Sequence, residues 1–126
     1  MTTTAPATTT HTWITACPTH HLHPEDPLAV LMPDHTQLVL VRTHTGHLHA
    51  LDNIDPYTGA AVLARGIIGD HHGRPTLTSP LLKHTFDLNT GHSLTDPHTR
   101  LNTHPVRTRN HHIQIHTRPE QDTHTP

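Results

Sequence analysis

Apolar residues along this chain fall in short bursts separated by Pro, Gly, Asn and Asp. Residues 13–17 (WITAC) form the first burst, stopped by Pro18, and residues 28–32 (LAVLM) form the second, closed by Pro33-Asp34. Residues 37–43 (QLVLVRT) are apolar at consecutive positions, the pattern of a strand covered on both faces. Thr45-Gly46 supplies a turn, and residues 47–51 (HLHAL) alternate with period two, so the two segments are expected to pair as an antiparallel hairpin. Residues 66–70 and 75–78 flank His71-His72-Gly73-Arg74 as a second hairpin, and residues 85–88 (TFDL) return as a strand. Asn89-Thr90-Gly91 then places Gly where a turn needs positive φ. A last hairpin joins residues 105–109 to residues 112–116 across Asn110-His111, with Ile113 and Ile115 on one face and His112, Gln114 and His116 on the other. Only residues 60–64 (AAVLA) suggest a helical turn. Short strands at regular spacing predict an all-β antiparallel sandwich or partial barrel.

Two polar, Pro-containing stretches interrupt this pattern beside apolar residues. One is Leu51-Asp52-Asn53-Ile54-Asp55-Pro56-Tyr57-Thr58-Gly59; the other is Thr78-Ser79-Pro80-Leu81-Leu82-Lys83-His84-Thr85-Phe86-Asp87-Leu88. Loops held on a β scaffold are where function usually sits, so these two organise the functional reading. With 126 residues, the chain is expected to be one domain over residues 12–117. Flexible tails are expected over residues 1–11 and 118–126, which carry almost no large apolar side chains.

Composition narrows the functional classes. Hydrophobic residues make up 31% and aromatic ones 2%, so the core rests on Leu, Ile and Val, and Trp13, Tyr57 and Phe86 each carry individual weight. Charged residues make up 14% with a formal net charge of −2, which gives no electrostatic footprint for nucleic acid or an anionic membrane. The start of the chain lacks a basic segment followed by an apolar run, and no stretch approaches the roughly 18 apolar residues of a membrane span. A soluble cytoplasmic protein is expected. Cys17, the only cysteine, allows no intramolecular disulfide and no Cys-based zinc site.

The 18 histidines are the compositional oddity. His-rich tracts can bind metal, but these are scattered, and many sit beside Thr at positions that read as strand surface. Adjacent pairs such as His20-His21, His71-His72 and His111-His112 point to opposite faces of a strand, so neither member chelates with the other. His47 with His49, and His112 with His116, are better spaced. A specific metal site is not expected. Gly-rich phosphate loops, nucleophile elbows and Ser–His–Asp patterns are absent.

Several strings nonetheless point to a family. Residues 50–60 (ALDNIDPYTGA), 62–70 (VLARGIIGD), 79–84 (SPLLKH) and 86–91 (FDLNTG), with Pro105-Val106-Arg107 in the last hairpin, resemble the Rieske-like small subunits of assimilatory NAD(P)H-dependent nitrite reductase. The resemblance spans residues 13–116. In the wider Rieske superfamily, Cys-X-His on one loop and Cys-X-X-His on the other hold a [2Fe–2S] cluster through two thiolates and two imidazoles. The resemblance places Asp55 and Tyr57 at the first pair of positions and Ser79 and Leu82 at the second. Leu82 cannot coordinate iron, Ser79 and Tyr57 are poor substitutes for thiolate and imidazole, and His84 falls two positions late. The two loops are therefore expected to form a cluster-site tip that keeps the shape without the metal.

By that resemblance, this chain has no catalytic residues and no cofactor. Nitrite is reduced to ammonia on a large partner subunit carrying sirohaem, an iron–sulfur cluster and FAD, and this chain binds and supports it. Asn53, Asp55, Tyr57, Arg65, Lys83 and His84 are the expected docking residues. Inside the tip, an Asp–Lys ion pair or loop capping is expected to replace the cross-link a cluster would provide, with Tyr57 filling its space. Two alternatives stand beside this reading: a Rieske-type ferredoxin passing electrons to an oxygenase, and a stand-alone His-rich metal-binding module.

Overall fold

A computed structural model of the chain describes residues 12–96 and 98–120. The tail expected over residues 1–11, and residues 121–126 of the expected C-terminal tail, lie outside the described residues. Among the described residues, ten strands run in chain order: β1 Trp13–Pro18, β2 Leu28–Leu31, β3 Gln37–Arg42, β4 Leu48–Asp52, β5 Ile67–His71, β6 Arg74–Thr78, β7 Thr85–Asp87, β8 Thr103–His104, β9 Val106–Arg109 and β10 His112–His116. They form three antiparallel sheets, ordered β1-β10-β9, β2-β3-β4-β8 and β5-β6-β7.

The doubly apolar run over residues 37–43 becomes the middle of the molecule. Leu38 and Leu40 of β3 pack into one core with Cys17, Ala50, Ile113 and Ile115. Val39 and Val41 pack into the other with Leu51, Leu63, Leu77, Phe86, Leu88 and Leu101. Because strand side chains alternate faces, one strand thus serves two cores, with the β2-β3-β4-β8 sheet as the central layer. All four of these β3 side chains are fully buried. Each contributes about 1.5–3 kcal/mol relative to exposure, which makes β3 the principal anchor of the fold.

Three hairpins follow the expected turns. His72-Gly73 (φ 52 and 84) joins β5 to β6, and Asn110-His111 (φ 52 and 64) joins β9 to β10. Two successive positive-φ residues give the turn whose twist matches the flanking strands, and Asn, His and Gly tolerate that region best. The helical turn expected over residues 60–64 appears instead as one 3-10 turn at Leu63–Arg65, whose Leu63 is buried. Two features have no local sequence signal: the short β8, and the pairing of β1 with β10, which joins opposite ends of the chain with an irregularity between Thr15 and Cys17. Among the described residues, no helix is long and apolar enough to cross a membrane.

Candidate functional site: the two-loop tip

The first loop leaves β4 at Asp52 and is pinned at once by Asn53. The Asn53 N–H donates to Gln37 O (3.0 Å), its carbonyl accepts from Leu63 N (3.1 Å), and its Oδ1 accepts from Ala64 N (2.7 Å). Asn53 thereby ties β3, the loop and the 3-10 turn together. Asp55 then curls the chain: its N–H donates to Ala60 O (2.8 Å), its carbonyl accepts from Gly59 N (2.7 Å), and its Oδ1 accepts from Tyr57 N (2.8 Å). The last of these is an Asx turn, the local bond that short acidic side chains make readily.

The second loop leaves β6 at Thr78 and closes through Ser79 N–H to His84 O (2.8 Å). Ser79 Oγ accepts from Leu81 N at 3.2 Å. Leu82 and Lys83 follow with φ of 57 and 59, two consecutive non-Gly residues in the left-handed region. Such residues are disfavoured by about 1–2 kcal/mol each. The loop holds them because its two ends are fixed by Ser79 and His84.

Three side-chain contacts join the loops into one unit. Ser79 Oγ donates to Asp55 Oδ2 at 2.6 Å, with both residues fully buried. The Tyr57 ring stacks on His84 with centroids 3.7 Å apart and 15° between planes, and lies 6.2 Å from Phe86. The Tyr57 hydroxyl donates to Ser93 Oγ at 2.9 Å, which carries the network into the segment after β7. Alongside, the buried carboxyl of Asp87 caps Asn89 N (2.7 Å) and Thr90 N (3.3 Å) through Oδ1 and pairs with Arg74 through Oδ2.

Of the four residues that the resemblance sets at cluster positions, the structure joins Asp55 and Ser79 directly and does not bring Leu82 to them. Asp55 and Ser79 satisfy each other, Tyr57 is engaged with His84 and Ser93, and Leu82 points outward with 69% of its surface exposed. The partner of Asp55 is Ser79, and no Asp–Lys pair forms among the described residues; Lys83 and Arg65 are exposed. Cys17 belongs to the other core, and burial pushes its thiol above the usual range. Soft thiolate donors are thus absent from the tip, and the residues present do not fit a [2Fe–2S] cluster.

Of the six expected docking residues, Asn53 and Asp55 are buried, with 3% and 0% of their surface exposed, and point inward. Tyr57 and His84 are half-buried against each other, which leaves Arg65 and Lys83 as the accessible pair. Sequence reasoning missed Ser93, which has no motif of its own. It also missed the apolar rim of the tip: Ile54, Ile67, Leu81, Leu82 and Leu94 are all exposed. The available signal was Leu81-Leu82 standing in a polar loop between Pro80 and Lys83.

Outside the tip, two of the adjacent histidine pairs do not lie on opposite faces of a strand as expected, because His20-His21 sit in the 3-10 turn Thr19–His21 and His71-His72 at the β5–β6 turn, where the backbone curls and brings neighbouring rings together. His20 and His21, and His71 and His72, meet edge-on with centroids 4.5 and 4.3 Å apart. No group of three or more His, Cys, Asp or Glu among the described residues is placed to hold a metal ion. His49 is the distinctive member: burial, and secondarily the charge of His47, holds its imidazole below the usual range, and its Nε2 has no hydrogen-bond partner.

Residues 12–116 match the family described as Rieske-like [2Fe-2S] domain. The small subunit of NADH nitrite reductase from Escherichia coli is 28% identical over 103 residues, covering 82% of this chain and 95% of that protein. A crystal structure of the putative NADH-dependent nitrite reductase small subunit from Mycobacterium tuberculosis shares 40% identity at a TM-score of 0.83, covering 86% of this chain and 97% of that one. A third match lies inside a NAD(P)H nitrite reductase large subunit, from Klebsiella oxytoca. It is 36% identical over 63 residues, half of this chain but 7% of that protein. With matches that run from β1 to β10 and span nearly the whole of its relatives, the chain belongs to the Rieske-like [2Fe-2S] domain family, in the branch of the nitrite reductase small subunits.

Proposed function

We propose that this chain is the non-catalytic small subunit of a cytoplasmic NAD(P)H-dependent nitrite reductase, and that it binds and supports the large subunit. Nitrite is reduced to ammonia on that partner, where sirohaem, an iron–sulfur cluster and FAD are held. The observation that carries this reading is the 40% identity across 97% of the Mycobacterium tuberculosis small subunit. The related segment in the Klebsiella oxytoca large subunit supports it, because there a similar stretch shares one chain with the rest of a large subunit.

The chemistry of the tip agrees with a supporting role. Its buried polar groups are paired with each other, Asp55 with Ser79 and Tyr57 with Ser93, so none is poised toward a substrate. A Rieske-type ferredoxin needs the thiolates and imidazoles that these side chains replace. The test is co-expression with a nitrite reductase large subunit from the same organism, one of the two tagged. Recovery of both chains together, with faster nitrite-dependent NAD(P)H oxidation than the large subunit alone, is the expected result. Separate elution, combined with normal growth on nitrite after deletion of this chain, would overturn the reading.

A further inference from the structure

Among the described residues, six large apolar side chains are substantially exposed, and five of them, Ile54, Ile67, Leu81, Leu82 and Leu94, belong to the tip. Single exposed apolar residues are ordinary on a protein surface; a cluster on two adjoining loops is not. Their continuity follows from the bonds that join their neighbours. Ile54 precedes Asp55, which is bonded to Ser79, and Leu81 N donates to the same Ser79 Oγ. Ile67 sits opposite Thr78 in the β5–β6 ladder, and Leu94 N donates to Thr85 O on the far side. Leu82, Leu94, Thr78, Lys83 and His84 line one open groove of about 580 Å³.

We propose that this groove and its apolar rim are the face that docks on the large subunit, onto an apolar patch bordered by acidic groups. The proposal rests on the small-subunit reading and names the contact within it. Two observations select that occupant. First, the charges exposed on the loops are Arg65 and Lys83, and neither has an ion-pair partner among the described residues. Of the acids close by, Asp55 is buried and bonded to Ser79 and Tyr57, while Asp70 is exposed in the groove lining and accepts from Gly73 N at the hairpin turn. Among the described residues there, Arg65 and Lys83 thus outnumber the one exposed acid, Asp70, on a chain whose formal net charge is −2, and the complement of this net positive rim is acidic. Second, the left-handed pair Leu82-Lys83 holds a Leu in water and a Lys beside it without any packing return in the isolated chain. A partner surface supplies that return by burying Leu82 and pairing Lys83.

Asn53 and Asp55 then act beneath the contact, holding the loops in shape, while Arg65 and Lys83 remain at its edge. Buried apolar anchors carry most of the energy in such interfaces, with rim charges tuning rate and orientation.

The experiment measures the affinity of the purified large subunit for this chain and for four variants: Leu82→Asp, Leu82→Asp with Leu94→Asp, Lys83→Glu, and Thr108→Asp as control. Thr108 is exposed on β9 beside the Asn110-His111 turn. That turn joins Thr19 at the Arg42 end of β3, opposite the end from which the first loop leaves. Leu82→Asp should weaken binding by about tenfold or more, and the double variant further. Lys83→Glu should slow association and reduce its salt dependence, and Thr108→Asp should bind like the wild type. Unfolding temperatures near that of the wild type show that the variants remain folded. If the wild type binds and the double variant binds equally well, the groove is not the contact, although the small-subunit reading stands. If the wild type fails to bind, that reading falls and the proposal with it. A dimer of the isolated chain that Leu82→Asp dissolves would give the groove to a second copy and overturn the assignment.

Discussion

Breaking the Asp55–Ser79 contact tests whether a side-chain bond does the joining that a cluster does elsewhere in the superfamily. Asp55→Asn keeps the shape and leaves an oxygen for Tyr57 N, but it replaces the oxygen that accepts from the Ser79 hydroxyl with an amide donor, so that buried O–H loses its acceptor. Ser79→Ala removes the donor and leaves Asp55 Oδ2 buried with no partner. A lost bond to a buried acidic group is worth about 1.5–3 kcal/mol, so each single substitution should lower stability by that much. For a domain of this size that corresponds to roughly 6–20 °C in Tm. The double variant should lose less than the sum, with a coupling of about 1–2 kcal/mol, because the second substitution removes a group already left unpaired. Urea denaturation followed by Trp13 fluorescence, with circular dichroism as the second probe, gives the four free energies. Additive losses, within about 0.5 kcal/mol, would refute the claim that the two residues hold the loops together.

Three further outcomes follow from the same geometry. Burial holds His49 below its ordinary range; the unfolded chain takes up that proton more readily, so stability is full above about pH 6.5 and declines as pH falls below it. His49→Gln should flatten that acid limb by up to about 1.4 kcal/mol per pH unit, read from urea midpoints across the range. At Gly91 (φ 83) an added Cβ meets the Leu101 carbonyl, whereas at Gly46 (φ 94) it meets nothing. Gly46→Ala should therefore lose about 1–2 kcal/mol and Gly91→Ala clearly more, by the same denaturation assay. Finally, the combined variant Asp55→Cys, Tyr57→His, Ser79→Cys, Leu82→His should take up iron and sulfide on reconstitution and absorb visible light, since φ 57 at Leu82 suits His far better than Leu. A folded, colourless product would show that the loops do not keep the spacing of a cluster site.

Much of the fold was legible because two local rules suffice for it. Period-two alternation and the doubly apolar run over residues 37–43 identify strands, and Asn110-His111 and His72-Gly73 mark turns where positive φ is tolerable. The β1–β10 pairing was not legible. It joins residues about a hundred positions apart, and β1 carries no feature that names its partner. The short β8 escaped for a related reason: Thr103 and His104 are held by β4, with Thr103 also accepting from Glu120 N. Glu120 is thus tied to the domain through a backbone bond that a polar, Pro-containing segment does not advertise.

The two loops of the tip were legible, and of the two cross-links expected there, an Asp–Lys ion pair or loop capping, capping is the one that forms, for a physical reason. Asp55 and Ser79 meet where the two loops join, Tyr57 lies against the second loop through His84, and Leu82 faces solvent, while the alternative Asp–Lys pair does not form among the described residues. Burying a Lys with an Asp requires desolvating two ions and freezing a long side chain, and that desolvation can exceed the Coulombic gain. A Ser hydroxyl delivers one short bond to the same carboxyl from a side chain that is nearly rigid. Ser79 also lies directly after β6, so its direction is set by the strand, whereas Lys83 sits past the crest of the loop in the left-handed region and points to solvent. Position in the loop, rather than formal charge, decides which group turns inward. The same reasoning explains why Asn53 and Asp55 turn inward. Polar side chains beside a strand end are consumed by the backbone they must satisfy, and the crest is left to Leu81, Leu82 and Lys83, whose side chains are free to meet another surface.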